Sequence, residues 1–236
     1  MRRVISSEML DEDRGTLREV KESLDDLWRI NRWLGGVSSN LQLFQAFFAR
    51  TGTHPVRILD VGAGDSRLAG HLQAELRQLG LPAEFTVLDR RLGHLRNGDR
   101  PAAVSSVAAD AMALPFAHDS FNVVMCNLFL HHFSGDPAIQ LLRRLATTAS
   151  EAVLVSDLER HWLPYRFIQR APWFTRSPIT RHDAPASVRQ SYTRDELAGL
   201  ATAAGFTDFE VRRLVPFRLG LMLWKFPAQP SRPSKE

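Results

Sequence analysis

Thirteen residues, Val56 to Leu68 (VRILDVGAGDSRL), constrain this chain more than any other stretch. A run of strand-forming residues closes on Asp60 and Val61. A Gly62-x-Gly64 turn follows, and a helical pattern begins behind it. A Gly-x-Gly turn at the carboxyl end of a buried strand lets a ligand approach bare backbone. The helix that follows presents unpaired N–H groups at its start. That combination belongs to cofactor sites in α/β sheets. A nicotinamide site requires a small residue at the sixth position of G-x-G-x-x-G/A, where helix and strand pack closely. Arg67 holds that position here and fits such a site poorly.

Strand-like and helix-like segments alternate after the turn. Strands are expected near 56–61, 84–89, 104–108, 122–128 and 151–157. The helical segments between them centre on Leu68–Leu79, Leu92–Arg96 and Ala138–Ala146. This alternation predicts a parallel sheet with helices on both faces. Upstream, Thr16-x-x-Glu19 is a capping-box pattern. Leu17, Val20, Leu24, Leu27, Trp28 and Leu34 recur behind it at helical spacing, and Gly35-Gly36 ends that helix. A second helix is expected from about Ser39 to Arg50. Downstream, Thr193-x-x-Glu196 is a second capping box, its helix ending at Gly205, with two closing strands near Phe206–Leu214 and Arg218–Phe226. The charged residues 1–14 are expected to fray, and 227–236 (PAQPSRPSKE) to be a disordered tail.

Three further motifs follow the turn: Phe85-Thr86-Val87-Leu88-Asp89, then Ala109-Asp110-Ala111-Met112-Ala113-Leu114-Pro115-Phe116, then Asp119 to Phe133 with Asn127, His131 and His132 near its end. In this order and spacing the series resembles the class I S-adenosylmethionine (SAM)-dependent methyltransferases. Within them it looks most like the branch of ubiquinone/menaquinone-type and small-molecule methyltransferases. The resemblance runs from Val56 to Phe226. It implies an α/β fold, a doubly wound, Rossmann-like sheet of seven mostly parallel strands. The last strand would be antiparallel and inserted beside its predecessor. N-terminal helices (1–53) would cap the SAM-binding domain (54–226), and an acceptor lid (158–192) would follow the fifth strand.

The resemblance also implies roles for single residues. Gly62 and Gly64 would let the backbone approach the ribose and methionine portions of SAM. Asp89 would accept the ribose hydroxyls through charge-assisted bonds. Asp110 would accept from the adenine amino group, while the Ala111 N–H bonds a ring nitrogen. Asp60 would support the methionine ammonium and the Asn127 carbonyl would meet it. Leu114, Pro115 and Phe116 would pack near the adenine or serve the core alone, and Cys126 would face the core. His131 and His132 stand where the methyl group should emerge. One of them would position an acceptor or take its proton, a role that matters only for an acceptor not already ionised.

Composition narrows the partners. One cysteine excludes an internal disulfide and suits a reducing compartment. No apolar run approaches a membrane span and no signal peptide is evident, so a cytoplasmic protein is expected. The sequence shows no internal repeat and no metal-ligand cluster. The net charge is +4. Between Arg160 and Arg194 seven Arg face a single acid, Asp183, with Trp162, Tyr165, Phe167, Trp173, Phe174 and Tyr192 interleaved. Such a stretch suits an anionic aromatic substrate, a nucleic acid or a membrane surface, or else a lid with solvated Arg. The expected function is methyl transfer from SAM to a small hydrophobic or aromatic acceptor such as a phenol, quinol or polyketide-like compound. No nucleic acid is expected as partner. A peripheral membrane contact and the oligomeric state stay open. Two alternatives are an RNA methyltransferase using residues 160–194 and a non-catalytic SAM-binding protein.

Overall fold

The computed structural model describes residues 1–12, 14–97, 104–170 and 175–225, without the side chains of 96 and 97. The expected tail, and Trp173 and Phe174 of the basic stretch, lie outside the described residues. Seven strands form one sheet: β1 (Val56–Val61), β2 (Ala83–Asp89), β3 (Ser105–Ala108), β4 (Phe121–Asn127), β5 (Ala149–Leu158), β6 (Phe209–Leu214) and β7 (Arg218–Trp224), in the order β3-β2-β1-β4-β5-β7-β6. The first five run parallel. β7 lies antiparallel between β5 and β6, as the resemblance implies. The strand order reverses at β1, between β2 and β4. In an open α/β sheet such a reversal leaves a crevice at the carboxyl ends of those strands.

The central strands are apolar on both faces, as a covered parallel sheet requires. Alternate side chains feed two cores. Leu59, Val124, Cys126 and Val155 pack with α5 (Asp136–Thr148) and α8 (Arg194–Ala203). Ile58, Val123, Met125 and Leu154 pack with α2 (Gly36–Thr51) and α3 (Arg67–Gln78). Cys126 is therefore a core residue. A short α4 (Leu92–Asn97) links β2 to β3.

Both capping boxes form. Thr16 opens α1 (Leu17–Trp33), its N–H donating to Glu19 Oε2 at 2.7 Å, and Thr193 does the same for α8 with Glu196 Oε2 at 2.8 Å. The Gly35-Gly36 pair is a joint with no gap. α2 begins at Gly36, where a Cβ would come within 2.2 Å of Asn31 Oδ1. α1 does not lie on the sheet. Leu17 and Trp33 on it are exposed, while Val20 and Leu24 pack on Ile179 of α7 (Pro178–Gln190). α6 (Trp162–Arg170) stands between β5 and α7 and buries no residue fully.

Residues 1–12 are not frayed. Arg3 donates to the carbonyls of Gln190 (2.6 Å) and Phe133 (2.9 Å) and lies over the Tyr192 ring. The backbone N–H groups of Met9 and Leu10 donate to the Asp183 carboxylate, at 2.9 and 3.0 Å. The charges that read as solvent-facing in the sequence find partners more than 120 residues away in the chain. No helix among the described residues is long and apolar enough to cross a membrane.

Candidate active site

A cavity of about 1120 Å³ opens at the carboxyl ends of β1, β2 and β4. Pockets for a single drug-sized ligand run roughly 300–1,000 Å³, so this one lies just above that range. Asp60, Gly62, Gly64, Asp89, Asp110, Ala111, Asn127, His131 and His132 all line it. The structure thus gathers these nine residues on one cavity.

The glycine turn is pinned to β2, with the Gly62 and Ala63 N–H groups donating to the Leu88 carbonyl at 2.8 and 3.1 Å. Gly62 (φ 74°) and Gly64 (φ 57°) both sit in the left-handed region that favours glycine. Their surroundings differ. A Cβ on Gly62 would fall 2.4 Å from the Phe129 ring, so the protein itself occupies that space. A Cβ on Gly64 would meet only Leu24, at 3.8 Å, and project into open cavity. Arg67 needs no close helix–strand packing because its side chain turns away, to Asp65 (2.6 Å) and to Asp25 of α1 (2.9 Å).

Asp60 is buried, and its Oδ1 has no hydrogen-bond partner. Burial first, and the charge of Asp89 second, push its carboxyl up to about 8. An orphaned buried oxygen is rare in a folded protein and marks a place where a donor or cation is accommodated. Asp89 ends β2 and accepts the Gly64 N–H on Oδ2 (2.9 Å) and the Arg91 N–H on Oδ1 (2.8 Å). Burial raises its carboxyl above the usual range despite those two bonds. Each oxygen keeps a lone pair for a further donor. Asp110 caps the 3-10 turn Ala111–Ala113, accepting the Met112 N–H at 2.8 Å. Leu114 and Phe116 pack against the α5-side core and do not reach the cavity wall, which at this end is formed by Ala109, Ala111 and Met112. For Leu114 and Phe116 this packing matches the core role that the sequence left open beside the adenine contact. A loop without periodicity does not announce which way its apolar residues turn.

The Asn127 side chain belongs to a buried network that the sequence did not announce. Its Oδ1 accepts from Asn40 Nδ2 (2.9 Å) and Arg218 Nη1 (3.4 Å), and its Nδ2 donates to Asn31 Oδ1 (3.2 Å). Arg218 also donates to the carbonyl of Leu34 and to Asn31. Burial lowers the guanidinium to about 10, so it stays charged at neutral pH. This network ties α1, α2 and β7 to the end of β4. The available signal was a lone Arg opening an apolar strand.

His131 is buried, with Nδ1 2.7 Å from Asp157 Oδ1 and Nε2 3.6 Å from Glu8 Oε1. Burial alone would lower its pKa. The carboxylates of Asp157 and Glu8 outweigh that and push it up to about 10. His132 Nδ1 lies 2.8 Å from Asp11 Oδ2. Glu8 and Asp11 are site residues that sequence reasoning missed, since both lie in the segment expected to fray.

The lid candidates divide. Leu163, Phe167 and Ile168 of α6 line the cavity, whereas Trp162 and Tyr165 do not. His161 stacks on Phe217, and the Tyr192 hydroxyl donates to the Phe133 carbonyl at 2.5 Å.

Two features fit the ligand implied by the sequence, S-adenosylmethionine. The unpartnered Asp60 oxygen suits an ammonium group, and the open side of Gly64 suits close approach by the ligand next to the Asp89 carboxylate. Residues 58–151 match a family model described as a methyltransferase domain. Over 172 residues the chain is 29% identical to a demethylmenaquinone methyltransferase of Roseiflexus sp. (strain RS-1), covering 66% of this chain and 70% of that protein. Among solved structures it is similar to a SAM-dependent methyltransferase from Aquifex aeolicus, at 16% identity and a TM-score of 0.59, over 89% of this chain and 98% of that one. It is also similar to the plantazolicin methyltransferase BpumL in complex with SAH, at 18% identity and a TM-score of 0.57, over 92% and 98% of the two chains. At these identities the structural likeness speaks for the fold.

Proposed function

We infer, from the premise that this chain is a class I S-adenosylmethionine-dependent methyltransferase, that its acceptor is a small apolar or aromatic molecule, such as a phenol or quinol, held under α6 and α7. The observation that carries this reading is the shape of the cavity. Beyond the space beside the glycine turn it continues along an apolar wall of Leu24, Leu27, Leu163, Phe167, Val188 and Phe217. The relatives named for demethylmenaquinone and plantazolicin support the same direction.

Bound SAM supplies an electrophilic methyl carbon on a sulfonium. The chain's part is to bind, align and exclude water, from which much of the rate of an in-line displacement derives. We assign the ribose hydroxyls to Asp89, the adenine to Asp110 and the Ala111 N–H, and the methionine ammonium to Asp60 and the Asn127 carbonyl. His131 and His132 are placed on the acceptor side. The Asp157 and Glu8 carboxylates push His131 up to about 10, which makes it a poor acceptor for a proton from the substrate.

The basic stretch serves the fold in part. Arg160 is buried and donates to the carbonyls of Met1 and Ser191 and to Glu196, and Arg181 donates to the carbonyls of Thr175 and Arg176. Arg166, Arg170 and Arg176 are exposed and are the positions an RNA-binding alternative would use.

Calorimetry tests the cofactor half of the reading. SAM and its demethylated product should bind while NAD does not. Asp89→Ala should weaken SAM by about 2 kcal/mol or more, because two hydroxyls lose a charged acceptor. Wild-type SAM affinity in a folded Asp89→Ala protein would remove the ribose assignment.

A further inference from the structure

Glu8, from the N-terminal segment, and His131 and His132, from the turn after β4, meet on the cavity. Each offers one ligating atom, and the three atoms lie within 4.8 Å of one another. The two imidazoles stand side by side, with centroids 4.2 Å apart and planes tilted by 32°. His131 Nδ1 is committed to Asp157 at 2.7 Å, which turns Nε2 toward Glu8. That Nε2 is fully buried and has no hydrogen-bond partner. The Glu8 oxygen, at 3.6 Å, is too far away to be one. Two ligands about 2.0–2.1 Å from a tetrahedral ion stand roughly 3.4 Å apart, so the 3.6 Å between these atoms has room for a shared ion, which would displace the proton that pairs His131 with Glu8 in its absence.

The surroundings have the form of a metal site's outer layer. A metal-bound imidazole usually donates its other N–H to a carboxylate, which fixes ring and tautomer. Asp157 holds His131 in that way, and Asp11 Oδ2 lies 2.8 Å from Nδ1 of His132. The same Glu8 oxygen, Oε1, accepts from the Ser187 hydroxyl at 2.7 Å and from the Gln190 amide, so an ion bound through it would displace one of these donors. Two imidazoles and one carboxylate suit a borderline first-row ion such as zinc. Magnesium and calcium prefer shells of oxygen.

We propose that Glu8, His131 and His132 bind one zinc-class divalent ion, leaving a coordination position toward the cavity. The inference does not depend on the acceptor reading. If that reading also holds, the ion stands on the acceptor side, where an acceptor oxygen would be its natural fourth ligand.

The test uses the full chain, freed of metal by dialysis against a chelator and titrated with zinc chloride in a calorimeter. One equivalent should bind, and cobalt(II) should give the visible absorption of a four- or five-coordinate site. Glu8→Gln and His132→Ala should each weaken zinc by about tenfold or more. Zinc should raise the melting temperature of the wild type and not that of the double variant. Thermal melts without metal establish that both variants fold. Zinc binding that is absent in the wild type, or equal in wild type and double variant, would overturn the proposal. SAM affinity measured on the same samples keeps a failure here distinct from a failure of the methyltransferase reading.

Discussion

Asp60 concentrates the electrostatics of the site in one residue. Its carboxyl is held at about 8 in the folded chain, against 3.8 when unfolded. The folded state therefore keeps the proton over a range where the unfolded state has lost it. Stability suffers nothing from this group below pH 3.8, declines as pH rises toward 8, and carries the full penalty above it. Asparagine has no proton to lose. Between pH 5 and 8 the ligand-free Asp60→Asn protein should gain on wild type by up to about 4 kcal/mol, at 1.36 kcal/mol per pH unit. Urea unfolding across that range reads the difference directly. Parallel curves for the two proteins would mean that Asp60 is solvated or already paired. The residue scale is also where the sequence was most legible. Asp60, Gly62, Gly64, Asp89 and Asp110 announce themselves because each ends a strand or opens a turn, and its neighbours in the chain define its place. Glu8, Asn31, Asn40 and Arg218 do not, because their partners are distant. Asn40 meets Asn127 across 87 positions and Asn31 meets Arg218 across 187.

At the scale of elements, α6 forms part of the cavity wall. The sequence marks the stretch after β5 as aromatic and basic, but not which residues turn inward. Leu163 and Phe167, four positions apart, share a helix face and line the cavity while 43% and 54% exposed; Trp162, 60% exposed, does not line it. An i, i+4 pair lies on one side of a helix, and an adjacent residue does not. Changing Leu163 and Phe167 to Asp should therefore raise the acceptor KM at least several-fold and leave SAM affinity within a few-fold. Changing Trp162 to Ala should alter neither by a comparable amount. A steady-state assay with a phenol or quinol acceptor, paired with SAM calorimetry, measures both. Loss of SAM binding in the Asp variants, or an unchanged acceptor KM, would place the acceptor elsewhere. Capping boxes and strand runs were legible because they are local patterns. The N-terminal segment was misread for the opposite reason. Its order rests on Arg3, Glu8 and Asp183, whose pairing only the closed fold creates.

At the scale of the whole molecule, sheet order, cavity and network form one arrangement. The reversal of strand order at β1 opens the crevice. The motif residues line its cofactor side, and α1, α6, α7 and the first twelve residues wall the rest. The buried Asn31–Asn40–Asn127–Arg218 network fixes the N-terminal helices to the end of β4, beside the cavity. This makes them part of the site as well as a cover for the sheet. A sheet of this kind was expected from the alternation of elements. The path of the chain across its open end was not, because no periodicity encodes it.

The central claim is that this cavity delivers a methyl group from SAM to a small apolar or aromatic acceptor. Incubating the protein with methyl-tritiated SAM and cell extract, then separating organic-soluble, RNA and protein fractions, measures the destination of the label. The label should enter the organic-soluble fraction, and the Asp89→Ala protein should transfer little of it. Label recovered in RNA or protein, or no transfer above a protein-free control, would contradict the claim.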